Sequence, residues 1–180
     1  EPTHDGYAMA KIAVLKYCSY INSQYNFNYK SVIPSNIYGP NDHYHEINSH
    51  LVPAVILKIH NAKKNNQEKV KIWGNGLVKR EFMFSWDFAN FIEYSIKNFN
   101  KLPELINVGV NKDYSVKEYY LKIAKIIGYK GKFIFDKSMP IGMKRKKVST
   151  TMLKKFGWKN SFSLDEGLMI TYHDFLKKNN

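Results

Sequence analysis

The chain has 180 residues, 44% of them hydrophobic, so it can bury a core, and it holds no apolar run long enough to cross a membrane. Its 28 Lys and Arg against 15 Asp and Glu give a formal charge of +13, which indicates a solvated basic surface or a partner that carries phosphate. A single cysteine, Cys18, excludes internal disulfides, and the polar first residues exclude a signal peptide, so we expect a cytoplasmic protein.

Helices and strands alternate along the sequence, which is typical of α/β proteins. A first helix is predicted at 6–25, a strand that runs into a loop at 29–39, and a helix at 50–63 that Ser49 would cap. The later predictions are strands at 69–74 and 78–86, a helix at 87–97, a strand at 105–110, a helix capped by Ser115 that ends near Gly128, a strand at 132–135, a loop at 139–147, and helices at 150–156 and 163–178.

Tyr7 and Lys11 stand four residues apart in the first predicted helix, and so lie on one helix face. The ammonium would stabilise the phenolate, which makes Tyr7 a usable general acid for a carbonyl undergoing reduction. A chain with 13 tyrosines also produces this spacing by chance, so a purely structural pair stays open. The strand that follows ends in "PSNIYGP", residues 34–40, and ligands of open α/β sheets bind beyond such strand ends.

Several stretches carry a resemblance to a known family: "EPTHDGYAMAKIA", "PSNIYGP", "NSHLVPAVILKIH", "KIWGNGLVKREFMFSWDFA" and "INVGVNKDYSVKEYYLKIAKIIGYKGKFIFD". On these stretches the chain resembles the C-terminal portion of the GDP-L-fucose synthase family. Its members are the GDP-4-keto-6-deoxymannose 3,5-epimerase/4-reductases of the extended short-chain dehydrogenase/reductase superfamily. The resemblance implies an α/β fold, with the C-terminal part of a Rossmann-type parallel sheet and a smaller α/β substrate-binding domain. It implies that 1–45 end the NADP-binding domain and that 46–180 mainly bind a GDP-sugar, with 69–110 partly returning to the Rossmann sheet.

The resemblance also implies an NADP(H) cofactor and roles for individual residues. Tyr7 would protonate the C4 oxygen, Lys11 would assist it, and His50 would shuttle a proton during epimerisation at C3 and C5. The implied cofactor-binding residues are Lys11, Pro34, Ser35, Asn36, Ile37 and His50. The implied substrate-binding residues are Lys58, Trp73, Arg80 and Lys146. Two positions depart from the family, because Lys58 replaces its usual arginine and Ile141 replaces an acid.

Simpler interpretations of these residues stay open. His50 could only satisfy a backbone group at a helix start, and Trp73 could pack in the core at a strand end. His43, His45, Glu46 and His50 have spacings that can bind zinc, but no cysteine supports such a site and we expect no metal. Cys18 lies about 16 Å along the helix from Tyr7, so we expect a buried structural thiol.

Parts of the family's machinery are absent from the sequence. It has no glycine-rich phosphate-binding turn, and the family's Ser/Thr partner and catalytic cysteine are expected upstream, so these 180 residues are expected to be inactive alone. Two competing functions remain: another nucleotide-sugar epimerase or dehydratase, and a non-catalytic nucleotide-sugar or basic interaction module. The family implies a homodimer, and we expect neither a nucleic-acid nor a membrane partner.

Overall fold

The computed structural model describes residues 5–45, 48–139 and 142–179, and within them helices alternate with short strands. The helices are α1 (Asp5–Tyr25), α2 (Leu51–Lys64), α3 (Ser85–Lys97), α4 (Val116–Ile127), α5 (Thr151–Phe156) and α6 (Leu164–Asn179). The strands are β1 (Ser31–Pro34), β2 (Asn36–Tyr38), β3 (Lys69–Trp73), β4 (Lys79–Arg80), β5 (Phe82–Phe84), β6 (Leu105–Val108), β7 (Tyr114–Ser115), β8 (Lys132–Asp136) and β9 (Arg145–Lys146). No helix in these ranges combines the length and the apolar character that crossing a bilayer requires.

Most strand pairs are parallel. β1 pairs with β6, β2 with β5, and β3 with β8, all in parallel. β4 lies between β7, which is antiparallel to it, and β9, which is parallel. Parallel strands need long crossover connections, and helices supply them here, so the chain has a mixed α/β architecture.

Ser35 separates β1 from β2 and marks the point where one run of chain changes its partner strand. Its backbone N–H donates to the carbonyl of Val108, 2.7 Å away, at the end of β6. Beyond it, the strand pairs with β5 instead of β6. The carboxyl ends of β1 and β6 therefore meet beside the segment Pro34–Ile37.

Two hydrophobic clusters form the core. Alternate residues of β5 serve both, because Phe82 and Phe84 pack into the first cluster and Met83 packs into the second. The first joins α2, α4 and α6 through side chains that include Ile56, Ile59, Tyr119, Ile123, Leu168 and Phe175. The second joins α3, β6 and α5 through Phe91, Leu102, Ile106, Val108, Leu153 and Trp158.

Helix α1 is the exception to this packing, since none of its residues is buried. Its large apolar side chains are exposed: Tyr7, Met9, Ile12, Val14, Tyr17, Tyr20 and Tyr25. Burial of a side chain of this kind is worth about 1.5–3 kcal/mol, so the exposed face of α1 is a surface that would gain from a cover.

The structure divides the strand predicted at 78–86 into β4 and β5, adds the short strand β7, which was not predicted, and corrects three further points. Ser49 does not cap α2: the N-cap is His50, and the Ser49 hydroxyl instead donates to the carbonyl of His43, 2.8 Å away. Helix α3 begins at Ser85, two residues before the predicted start, because the buried strand β5 ends at Phe84. The predicted loop at 139–147 contains the short strand β9, whose backbone completes pairing with β4.

The N-terminus of α4 is closed by the predicted cap. The Ser115 hydroxyl accepts from the backbone N–H of Glu118, and the Glu118 carboxylate accepts from the Ser115 backbone N–H at 2.6 Å, which is a capping box. These bonds hold the pKa of Glu118 below its usual value. At the other end, Gly128 adopts φ +73, a left-handed conformation that glycine accepts without strain.

Ser115→Ala is expected to lower the free energy of unfolding by about 1 kcal/mol, because an N-terminal backbone donor of α4 loses its partner. Urea denaturation monitored by circular dichroism measures the change. Ser23→Ala is the control, since the Ser23 hydroxyl is exposed within α1 and bonds only to the carbonyl of Tyr20. Equal effects of the two substitutions would show that the capping box adds no stability.

Candidate active site

Tyr7 and Lys11 lie on one face of α1, as their spacing predicts. The Lys11 Nζ lies 5.5 Å from the centre of the Tyr7 ring, and both side chains are exposed. A phenol and an ammonium side by side supply a proton donor and a cation, the two groups that carbonyl reduction can use. The pairing of the two side chains is therefore a feature of the folded chain as well as of the sequence.

Asn22 fixes how α1 leads into β1. Its side-chain amide donates to the carbonyl of Tyr29 at 2.9 Å and accepts from the Tyr29 backbone N–H at 2.7 Å. This pair of bonds closes the turn 26–30, within which Asn26 has a φ of 55. The turn sets the direction in which the chain leaves the helix that carries Tyr7.

The segment Pro34–Ile37 holds an unsatisfied polar atom. The Ser35 side chain is only 8% exposed, and its hydroxyl has no hydrogen-bond partner among the described residues. The neighbouring Asn36 side chain donates to the backbone carbonyl of Glu81 at 3.0 Å. A buried hydroxyl without a partner costs about 1–3 kcal/mol, so a ligand that bonds to Ser35 would remove that penalty.

His50 stands at the entrance to α2 with an exposed side chain. Its backbone carbonyl accepts from Ala54 at 3.0 Å, and its side chain makes no capping bond. Burial raises the pKa of the nearby Asp42, while the His43 backbone N–H and the charge of His50 act against that rise. The His50 ring therefore does not satisfy a backbone group at the start of α2, which was the simpler interpretation of its position. It lies close enough to Asp42 for the two side chains to interact electrostatically.

The zinc interpretation of this loop finds no support among the residues that the structure describes. No three His, Cys, Asp or Glu side chains of those residues lie close enough together to hold a metal ion. The rings of His43 and His45 stack on each other, with centres 6.0 Å apart. Glu46 lies outside the described residues.

Lys58 and Trp73 are brought together from α2 and β3. The Lys58 Nζ lies 5.5 Å from the centre of the indole ring and donates to the carbonyl of Lys71 at 3.3 Å. Trp73 is 51% exposed, so it is not the core residue that the sequence left open. A cation above an exposed aromatic face can meet both the charge and the apolar surface of a ligand.

Arg80 and Lys146 are paired by the register of β4 and β9. The Arg80 Nη1 donates to the carbonyl of Met143 at 2.7 Å and to that of Lys79 at 2.8 Å, so part of the guanidinium holds the loop before β9. On the other side, the buried Tyr119 phenol donates to the Arg80 carbonyl at 3.0 Å. Burial raises the pKa of Tyr119, which keeps this donor protonated.

Within the basic run at 144–147, Arg145 forms an ion pair with Asp113 in addition to being exposed to solvent. Its guanidinium forms a two-bond fork with the carboxylate of Asp113, at 2.5 and 3.0 Å, and this lowers the pKa of Asp113. Lys144 and Lys147 are exposed, as predicted. A cleft of about 440 Å³ lies beside this run, lined by Asn111, Arg145, Lys147, Val148, Ser149, Thr150, Thr151 and Lys154.

One sequence-based expectation, a buried Cys18, is not met, and another concerns a residue that the structure does not describe. Cys18 is half-buried rather than buried, because α1 has no buried residues. Ile141 lies outside the described residues. No hydrogen bond or ring contact in the described part of the chain joins Tyr7 or Lys11 to His50 or to the segment Pro34–Ile37. The predicted site residues that the structure does bring together are Tyr7 with Lys11, Lys58 with Trp73, and Arg80 with Lys146.

Sequence reasoning missed Glu81, which lies between Arg80 and the buried Phe82. Its side chain is 1% exposed and accepts two backbone N–H bonds from distant segments. The signal was present in "VKREFMF", because a lone acid within a run of buried strand residues must find partners inside the fold.

Known proteins resemble this chain over nearly its whole length. The family model described as the NAD dependent epimerase/dehydratase family matches residues 1–109. A GDP-L-colitose synthase of Yersinia pseudotuberculosis is 50% identical over 181 residues, covering 100% of this chain and 59% of that protein. A GDP-L-fucose synthase of Azorhizobium caulinodans is 44% identical over 179 residues, covering 99% of this chain and 57% of that protein.

A solved structure supports the fold. The GDP-mannoheptose C4 reductase of Campylobacter jejuni, with NADP bound, superposes with a TM-score of 0.86 at 30% identity, covering 98% of this chain and 58% of that one. The prediction of a Rossmann-type α/β fold is therefore confirmed. The chain spans a little under three fifths of the length of the relatives described above.

Proposed function

Because the chain belongs to the NAD dependent epimerase/dehydratase family, we propose that it forms part of an NADPH-dependent enzyme that converts GDP-4-keto-6-deoxy-D-mannose to GDP-L-fucose. The reaction comprises epimerisation at C3 and C5 and reduction at C4. The observation that carries the proposal is the Tyr7–Lys11 pair on α1, with the ammonium 5.5 Å from the phenol ring. The activity belongs to a protein that has the full length of its relatives, of which this chain spans 57–59%.

Reduction at C4 needs a proton at the oxygen as the carbonyl carbon gains a hydride. Tyr7 donates that proton from its phenol, and the Lys11 ammonium stabilises the phenolate that remains. Both side chains are exposed on α1, so both can reach a ligand that lies against this helix face. The C4 oxygen ends as a hydroxyl, and Tyr7 regains its proton from solvent.

Epimerisation uses the acidity that the C4 carbonyl gives to the neighbouring C–H bonds. A base removes the proton at C3 or C5, the electron pair moves onto the C4 oxygen, and an acid returns a proton to the opposite face of the carbon. His50 is one partner in this exchange, because imidazole accepts and donates protons near neutral pH. Its exposed ring makes no bond at the start of α2, so it is available for the role.

One structural observation supports a binding site for NADPH in this part of the chain. The Ser35 hydroxyl is buried and has no hydrogen-bond partner among the described residues, so a cofactor could supply one. The residues that would hold the cofactor are Lys11, Pro34, Ser35, Asn36, Ile37 and His50. When bound, NADPH supplies the hydride for C4. Asn36 is held in place by its bond to the Glu81 carbonyl, which orients the segment that would bind the cofactor.

The GDP-sugar carries a diphosphate, and the cations on the substrate side suit it. Lys58, Arg80 and Lys146 would meet the phosphate oxygens, and the exposed Trp73 face would cover an apolar part of the ligand. Lys58 offers a point charge where a guanidinium would offer a two-bond fork, so its contribution is weaker than that of an arginine. Arg80 Nη1 donates to two backbone carbonyls, but the other N–H groups of the guanidinium can still form two bonds to a phosphate.

The same proposal includes the division into domains, the assembly and the cellular location. Residues 1–45 would end the NADP-binding domain and 46–180 would mainly form the substrate domain, with 69–110 partly in the Rossmann sheet. Two copies would associate as a homodimer in the cytoplasm. The support for association is the exposed apolar surface of α1, on which no residue is buried.

A second candidate is the related reaction that yields GDP-L-colitose, favoured by the 50% identity to a GDP-L-colitose synthase. L-Colitose is fucose without its 3-hydroxyl, so a substrate of that kind needs epimerisation at C5 only. The 3-hydroxyl is thus the group on which the two candidates differ.

The test uses the full-length protein, NADPH and each of two substrates, GDP-4-keto-6-deoxymannose and its 3-deoxy analogue. NADPH oxidation is followed by absorbance, and deuterium uptake from D₂O at C3 and C5 is followed by mass spectrometry. A higher kcat/KM with the 3-hydroxylated substrate, with uptake at both carbons, supports the fucose reaction. Preference for the analogue favours the colitose reaction, reduction without uptake favours another nucleotide-sugar enzyme, and GDP binding without turnover favours a non-catalytic module.

A further inference from the structure

Glu81 is a buried carboxylate that the proposed reaction does not use. One carboxylate oxygen accepts from the backbone N–H of Asn111 at 2.7 Å, and the other accepts from that of Val148 at 2.9 Å. The side chain is 1% exposed, and no cation contacts it in the described part of the chain. A carboxyl group buried in this way needs hydrogen-bond partners to compensate for its lost hydration, and the two backbone N–H groups supply them.

The two bonds join segments that are far apart in sequence. Asn111 follows β6, and Val148 follows β9, so the carboxylate ties both to the strand that carries Arg80. The fit is close, because a side chain on Gly109 would place its Cβ 2.5 Å from Glu81 Oε1 and 2.7 Å from Val148 Cγ2.

The backbone of Glu81 takes part in the same junction. Its N–H donates to the carbonyl of Lys146 at 3.1 Å, and its carbonyl accepts from the side chain of Asn36 at 3.0 Å. One residue therefore bonds to β9 and to the segment Pro34–Ile37, and stands directly beside Arg80. Asn111 and Val148, whose backbone N–H groups bond to Glu81, also line the cleft beside β9.

We propose that Glu81 is a positioning residue that fixes β9 against β4 and so places Arg80 and Lys146 for the diphosphate of the GDP-sugar. The two-residue pairing of β4 and β9 is too short to define this register alone. The carboxylate adds one bond just beyond β9, to Val148, and a second to Asn111, which follows β6. The part of the inference that concerns the GDP-sugar rests on the proposed function; the part that concerns the register does not.

Glu81→Gln tests the role without changing the size of the side chain. A glutamine offers one acceptor oxygen, so only one of the Asn111 and Val148 N–H groups keeps its partner and the other faces an N–H₂ donor. We expect amide hydrogen exchange in 142–149 and at Asn111 to accelerate at least about tenfold. In the full-length enzyme, we expect KM for the GDP-sugar to rise about tenfold, while KM for NADPH changes less than about twofold because Asn36 bonds to the backbone of residue 81.

Asp87→Asn is the matched control. Asp87 is also 1% exposed and also accepts two backbone N–H bonds, from Ser161 at 2.7 Å and Phe162 at 3.4 Å. A purely structural role of a buried carboxylate would give both variants the same loss of stability and no change in KM. We expect Asp87→Asn to accelerate exchange around 161–162 and to leave the GDP-sugar KM unchanged.

The outcomes separate the inference from the proposed function. Wild-type exchange at 142–149 in Glu81→Gln overturns the inference whether or not the enzyme turns over. Accelerated exchange with an unchanged GDP-sugar KM in an active enzyme overturns the substrate role of Glu81. Absence of GDP-sugar binding by the wild-type protein overturns the proposed function, and hydrogen exchange still decides whether Glu81 fixes the strand register. Glu81→Asp gives a further check, because its shorter side chain cannot reach both N–H groups and is expected to behave as Glu81→Gln does.

Discussion

Tyr7→Phe is expected to lower kcat for NADPH oxidation by about 10²–10⁴-fold in the full-length enzyme, which is the range that a positioned general acid contributes. The phenylalanine ring keeps the apolar body of the side chain, and Tyr7 is exposed on α1, so the fold is expected to be unaffected. KM for the GDP-sugar should change little, because the lost group acts on the C4 oxygen in the transition state. Deuterium uptake at C3 and C5 should fall less than reduction does, since the protons exchanged at these carbons do not come from Tyr7. Steady-state kinetics and mass spectrometry of the same samples measure both.

Tyr17→Phe is the matched control for this substitution. Tyr17 is on the same helix, and its side chain is 65% exposed against 69% for Tyr7. It lacks a lysine at the position four residues later, where Lys11 stands in relation to Tyr7. A variant at Tyr7 that keeps more than a tenth of the wild-type kcat, or a variant at Tyr17 that loses as much, would exclude Tyr7 as the proton donor.

His50→Gln is expected to lower the rate of deuterium uptake at C3 and C5 by about 10²–10⁴-fold, because the amide cannot carry a proton between carbon and solvent. The backbone carbonyl of residue 50 still accepts from Ala54, so α2 keeps its first turn. A product reduced at C4 without inversion at C3 and C5 is the expected result when NADPH is present. Mass spectrometry after incubation in D₂O, with NADPH left out, isolates the epimerisation step.

His43→Gln is the control for the loop. His43 is exposed and belongs to the same segment, where its ring stacks on that of His45. We expect its loss to leave deuterium uptake within about twofold of the wild type, as for a surface substitution away from special features. Wild-type uptake in His50→Gln would exclude His50 as the group that moves protons during epimerisation.

The family resemblance that the sequence carries is confirmed by relatives at 50% and 44% identity over nearly the whole chain. The most reliable local predictions were those with a backbone mechanism. Ser115 predicts an N-cap because its hydroxyl can accept a backbone N–H at the helix start, and that bond is present in the structure. The reciprocal bond to Glu118, which completes a capping box, was not predicted. Tyr7 and Lys11 lie together because helical geometry requires it at this spacing.

The errors have physical causes as well. Ser49 was a good candidate for a cap by residue type, but its hydroxyl finds partners in the preceding loop, at His43 and His45. The strand β9 has no apolar alternation, because both of its residues are exposed cations and its two-residue pairing depends on β4. A pattern search cannot find an element whose stability comes from a partner strand far away in sequence.

The sequence by itself determined the α/β order of elements and the helical face that joins Tyr7 to Lys11, since each depends on neighbours in the chain, and its composition determined the basic net charge. Only the tertiary structure decided that Lys58 lies over Trp73, that Arg80 is paired with Lys146, and that the Glu81 carboxylate bonds to Asn111 and Val148. These contacts join residues 15 to 67 positions apart. A buried carboxylate must be satisfied by whichever backbone groups the fold brings to it, and local sequence does not specify which groups those are.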